Sequence, residues 1–190
     1  GKWGLNHVNT INTIENCRLK YICSPHIDFH KNIPDKYIKI KNYQRLLNYK
    51  DIDGIVIATP PDTHYEIVSY LLKHGHNIFV EKPLTTSYND ALKLKKLYER
   101  ENTCFMVGHQ YLYHPAISLI KNKLKDLGDL SFIELEAGKY NNSSKRISAL
   151  WEWSPHDVGI CLRLIEDIPI TVSAWGIEAE NVGKKVQDMV

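Results

Sequence analysis

No stretch of these 190 residues stays apolar for the ~18 positions that a membrane-spanning helix requires, and no signal-peptide pattern opens the chain. Dense lysine or arginine blocks are missing as well. The formal net charge is +2 and the charges are scattered, which weighs against a nucleic-acid or membrane-surface partner. Only four cysteines occur, Cys17, Cys23, Cys104 and Cys161, and none forms a C-x-x-C pair. Neither a metal site nor a disulfide framework is expected; reduced, buried thiols in a cytoplasmic protein are the plainer reading. The nine histidines do not cluster, and His7, His26, His30, His74 and His76 are expected on surfaces or turns. Repeats and low-complexity linkers are absent. What remains is a chain 43% hydrophobic and 24% charged, enough for one good core and part of a second.

Residues 53–108 alternate regularly. "DGIVIA" (53–58) is a short β-branched run that suits a strand covered on both faces. Thr63-His64-Tyr65-Glu66 has the form of a capping box. Apolar residues recur at Ile67, Val68, Leu71 and Leu72 before Gly75 stops the helix. "NIFV" (77–80) is the next strand, Ser87 opens another helix, and "TCFMVG" (103–108) is a further strand. Strand and helix alternating over short joints predict a doubly wound parallel sheet. Upstream, "LNHVNTINTI" is helix-like, "LKYIC" (19–23) and "IKIK" (38–41) are strand candidates, and a short helix is expected near 43–47.

Beyond residue 112 the texture changes. Pro115 opens a helix that stops near Gly128, and "LSFIELEA" (130–137) and "ITVSAWGIEA" (170–179) have the form of longer, antiparallel strands. A helix near 156–166 lies between them. The expected division is a dinucleotide-binding domain over 1–111 and a partial substrate-binding or oligomerisation α+β domain over 112–190, its sheet largely antiparallel. Both ends read as cut. The first strand of the parallel sheet is expected to be missing before Gly1, and "VQDMV" reads as the start of another strand.

"GKWG" (Gly1, Lys2, Trp3, Gly4) fits the last four positions of G-x-G-x-x-G. Gly1 would admit a pyrophosphate to the backbone and Gly4 would permit close helix–strand packing, with the helix N-terminus facing the anion; an ordinary turn is the alternative. A ribose-binding acid belongs about 20 residues further on, where Ser24, Pro25 and His26 stand. That hydroxyl, with His26, His30 and Lys31, would accept a 2′-phosphate. NADP is therefore at least as suitable as NAD, unless Asp28 or no side chain does the work. "ATPPDTH" (58–64) leaves its strand through two prolines, a rigid loop able to pass a flat ring.

With "VEKP" following at this distance, and with "VGHQYLYHPA" and "LWEWSPHD" later in order, the chain resembles the Gfo/Idh/MocA family of NAD(P)-dependent oxidoreductases. The resemblance implies a Rossmann-type domain followed by an α+β domain, with Lys82, Glu152 and His156 beside a nicotinamide. Thr59, Pro60, His64 and Glu81 join the "GKWG" residues, Ser24 and Lys82 as expected cofactor contacts. The chemistry is coherent: hydride removal from a secondary alcohol needs a base near neutrality, which His156 provides. Glu152, four residues earlier, would hold its tautomer, and Asp157 could compensate if the longer glutamate misaligns. Lys82 would supply charge where the alkoxide develops.

His109, Tyr111, Trp151 and Asp157 are expected to line the substrate crevice. Tyr113 is open between crevice and domain packing, and Trp151 and Trp153 between substrate wall and core. Amine and imidazole are expected to meet in one pocket. A sugar or nucleotide sugar is the implied substrate, with no nucleic-acid or membrane partner and a homo-oligomer as the intact state. An NAD-dependent glycoside hydrolase and a dinucleotide-sensing regulator of the same fold remain alternatives.

Overall fold

The computed structural model describes residues 1–27, 33–137, 148–181 and 184–189. Asp28, His30 and Lys31, named above for the ribose end, lie outside the described residues. The chain divides into two compact units, Gly1–Val107 and Gly108–Val190.

In the first unit, helix α1 (Lys2–Ile11) precedes strands β1 (Tyr21–Cys23) and β2 (Ile38–Ile40), which pair in parallel with Tyr21 opposite Ile38. A 3-10 turn (Tyr43–Asn48) leads to β3 (Ile55–Ile57), helix α2 (His64–Lys73), β4 (Ile78–Val80), helix α3 (Tyr88–Tyr98) and β5 (Phe105–Val107). These three strands form a parallel sheet in the order β3-β4-β5, with Ile57 level with Val80 and Val80 with Val107. Each short apolar run marked out in the sequence therefore holds a strand, and the helices fall in the crossovers that parallel pairing demands. Val68, Leu71 and Leu72 of α2 and Leu94 of α3 pack on Ile57, Ile78 and Val80 to make the main core.

The ends of α2 and α3 are settled by local chemistry. At the C-terminus of α2, Gly75 takes φ +76°. Its N–H donates to the Leu72 carbonyl while that of His76 donates to Leu71, the double bond of a Schellman stop. At the start of α3, the Ser87 hydroxyl accepts from the Asp90 N–H. The capping box expected at Thr63 is a correction. A 3-10 turn over Pro61–Thr63 runs straight into α2, which puts Thr63 in helical rather than extended backbone. Its hydroxyl instead donates back to the Pro60 carbonyl, 2.7 Å away, and lies 2.7 Å from the Thr59 hydroxyl.

In the second unit, helix α4 (Pro115–Leu127) ends at Gly128, where φ is +89°, and its first turn is capped by the His114 ring, which accepts from the Ala116 N–H. Helix α5 spans Ala149–Ile165, so it begins seven positions before the expected start. Pro155 sits inside it and removes one donor from the helix ladder without breaking it. Strands β6 (Gly176–Asn181) and β7 (Lys184–Met189) form an antiparallel pair.

The long strands expected at 130–137 and 170–179 are also corrected: the first is irregular, and only the end of the second enters β6. Alternating apolar and polar residues fit a pleat, but a strand also needs a neighbour to satisfy its backbone. Among the described residues, 130–137 have no such neighbour, and Phe132 is left 75% exposed. The thiols depart from expectation too: Cys17 and Cys104 are exposed, and Cys23 and Cys161 only partly enclosed.

Candidate active site

In the first unit, the carboxyl end of β3 runs into Ala58-Thr59-Pro60 and that of β4 into Glu81-Lys82-Pro83. Because Ile57 and Val80 are level, both segments leave the sheet at the same edge, the side where open parallel sheets bind ligands. His64 joins them. Its Nδ1 lies 2.9 Å from the Pro83 carbonyl and its Nε2 3.0 Å from the Thr59 carbonyl, and the side chain is 0% exposed. The direct cofactor contact expected of His64 is thus corrected: the ring is enclosed and both nitrogens are engaged by backbone, so it supports the loops instead of facing a ligand.

Glu81 is held from both sides. One carboxylate oxygen is 2.6 Å from His7 Nε2, and the other accepts from the Lys82 N–H at 3.3 Å. The His7 ring also meets Phe79 edge-on, with centroids 5.4 Å apart. His7, expected on a surface, therefore ties α1 to the end of β4. Nothing in the local pattern marks it, since 74 positions separate the partners and only the folded topology brings them together. The Lys82–Pro83 peptide is cis.

At α1, Gly1 is the N-cap and no acidic residue occupies the first turn. Among the described residues, no protein atom lies within 4 Å of where a Cβ would stand on Gly1 or Gly4. The first-turn N–H groups of a helix favour an anion, and no side chain caps this one. Trp3 is 48% exposed. The Ser24 hydroxyl accepts from the His26 N–H at 3.2 Å and so closes the turn after β1.

In the second unit, α5 carries the expected acid and base one turn apart, with Glu152 in its first turn and His156 at 7% exposure. The Tyr111 ring stands edge-on to His156, centroids 4.7 Å apart and planes 85°. Tyr111 belongs to a 3-10 turn over Gln110–Tyr113 that follows His109 and lies close to α5 at Gly159. A Cβ there would stand 3.5 Å from Leu112 and 3.9 Å from His109 Nδ1. His109, Tyr111 and His156 thus gather on one side of this unit, while Tyr113 is largely exposed. Trp151 and Trp153 are both half-buried. Burial pushes the Asp157 carboxyl above the ordinary aspartate range. It also raises the Cys161 thiol, to which the Asp157 charge adds.

An open parallel sheet with two loops joined by His64 at its carboxyl edge and a helix N-terminus ahead of it is the architecture of a dinucleotide-binding domain. The Gfo/Idh/MocA family model, described as an oxidoreductase family with an NAD-binding Rossmann fold, matches residues 1–109, and the chain belongs to that family. A dTDP-3,4-didehydro-2,6-dideoxy-alpha-D-glucose 3-reductase from Saccharopolyspora spinosa is 31% identical over 48% of this chain and 28% of its own length. A 2,7-anhydro-N-acetylneuraminate hydratase from Escherichia coli is 23% identical over 93% of this chain and 50% of its own length. A solved structure from Magnetospirillum magnetotacticum superimposes with a TM-score of 0.84 at 26% identity, covering 99% of this chain and 66% of that one. The chain thus spans half or less of the length of these two curated relatives.

Proposed function

We propose that the chain serves hydride transfer between a nicotinamide dinucleotide and a secondary hydroxyl or ketone of a sugar or sugar nucleotide. The observation that carries this reading is the Glu81-Lys82-Pro83 segment at the carboxyl edge of the parallel sheet, fixed beside Thr59-Pro60 by His64 and behind by His7. The reductase named above acts on a nucleotide-activated deoxysugar, which supports the substrate class.

In this reading the first turn of α1 holds the pyrophosphate through backbone N–H groups, and Thr59-Pro60 borders the nicotinamide. When bound, the dinucleotide supplies or accepts the hydride. Lys82 stabilises negative charge as it develops on the reacting oxygen. His156 takes or returns the hydroxyl proton, with Glu152 and the Tyr111 ring orienting it. Ser24 borders the ribose, where NAD and NADP differ.

Lys82→Ala and His156→Ala in the intact protein are expected to abolish reduced-nicotinamide turnover with a panel of nucleotide sugars while cofactor binding survives. Near-normal turnover by either variant overturns that residue's role. Separate titrations with NAD and NADP decide the cofactor. The hydratase relative favours one rival: catalysis without net redox change. It would appear as a converted sugar with no change at the reduced-nicotinamide absorbance.

A further inference from the structure

We propose that His64 is a positioning residue for Lys82: an imidazole carrying hydrogen on both nitrogens that staples the loop leaving β3 to the loop leaving β4. The inference rests on the role given to Lys82 above.

The geometry of the two contacts points to that arrangement of hydrogens. Both partners of the ring, the Thr59 and Pro83 carbonyls at 3.0 and 2.9 Å, can only accept hydrogen bonds. A ring with one N–H makes one of these bonds and turns a nitrogen lone pair towards the other oxygen. Both bonds form together only when both nitrogens carry hydrogen. Such a cation is costly to bury alone. Here two carbonyl dipoles point at it from opposite sides, and charge-assisted bonds of this kind are roughly twice as strong as neutral ones.

The two carbonyls belong to the two segments whose relative placement matters. Thr59 and Pro60 lie on one, and Pro83 directly follows Lys82 on the other. With no N–H of its own, Pro83 can be anchored through its backbone only at its carbonyl, which is the atom His64 engages. On the other side of Lys82, the backbone N–H is held by Glu81, and Glu81 by His7. Lys82 is thereby fixed from before and after, and its Cα direction determines where the ammonium group can reach. A shift of about 1 Å at such a point can cost on the order of 100-fold in rate. A ring that merely filled space would need no polar atoms facing two carbonyls.

Two measurements on the intact protein test this. In long-range 1H–15N correlation spectra of the wild type, both His64 ring nitrogens are expected at protonated-type shifts. A spectrum showing one bare nitrogen overturns the staple, whatever the variants do. In the second, His64→Phe and His64→Gln are compared with wild type at a temperature where all are folded. The expected result is a fall in kcat of about tenfold or more for Phe, with KM and cofactor Kd within about twofold, and a smaller fall for Gln, which keeps one amide donor. Unchanged kcat, or kcat and Kd failing together in proportion to lost melting temperature, overturns the positioning role. Should neither variant fold, the wild-type spectrum decides. A wild type that binds NAD(P) but turns over no nucleotide sugar counts against the hydride-transfer reading, while the spectrum still reports on the staple.

Discussion

Burial lifts the Cys23 thiol to about 11, whereas Cys17 and Cys104 lie exposed. Since the thiolate is the reactive form, iodoacetamide at mildly alkaline pH is expected to label Cys17 and Cys104 well before Cys23. Mass spectrometry of timed aliquots checks this, and equal rates at Cys17 and Cys23 would contradict the burial argument. The residue scale is also where sequence reading is weakest. Lys82 stood out because a charged residue between a buried strand and a proline is out of place unless it is used. His64 was marked too, but as a ligand contact, because its spacing to the two prolines says nothing about which way the ring points. His7 carried no signal, its partner being 74 positions away. Roles that depend on a side chain's direction, or on a pair made by topology, are not written in local spacing.

Elements are more legible than single residues, because helix caps and short β-branched runs are local chemistry. All five parallel strands fall inside stretches that the sequence offers as strand candidates. Two end groups give sharp tests. Ser87→Ala removes the acceptor for the Asp90 N–H and is expected to cost about 1 kcal/mol. Gly75→Ala forces a Cβ into a φ of +76°, at about 1–2 kcal/mol, although no atom of the described residues lies within 4 Å to clash with it. Chemical denaturation should show both losses with an unchanged slope. A neutral Gly75→Ala would mean that α2 ends differently. The expected strand at 130–137 failed because alternation reports which side chains share a face, not whether a neighbouring strand exists to pair with. The expected start of α5 is late because the apolar stripe of Val158, Cys161, Leu162 and Ile165 marks only its later turns, whereas Ala149 to Ser154 extend the helix backwards.

Over the whole molecule, carboxylates pull stability in opposite directions as pH changes. Hydrogen bonds from Lys20 and Tyr21 hold Asp51 below its ordinary value of 3.8. A hydrogen bond from Lys39 does the same for Asp35, and one from Lys121 holds Glu166 below 4.5. For a group whose folded value is depressed, the stabilisation is present above the unfolded value and lost as pH falls through the folded one. These three groups sit in exposed pairs, so each effect is modest, but their sum makes the protein less stable in acid. Asp157 runs the other way. Burial raises its folded value above 3.8, so the charged form is the costly one near neutrality, and that cost is relieved as pH falls through the raised value. Asp157→Asn is accordingly expected to raise the melting temperature near neutrality. The advantage should shrink as pH falls below the raised value, where wild-type Asp157 is itself uncharged. The same substitution leaves Asp35, Asp51 and Glu166 untouched, so the acid-side decline should persist in the variant. Melting curves of both proteins across this range separate the contributions. A variant less stable than wild type at neutral pH would show that the Asp157 carboxylate is compensated by a partner, not penalised by burial.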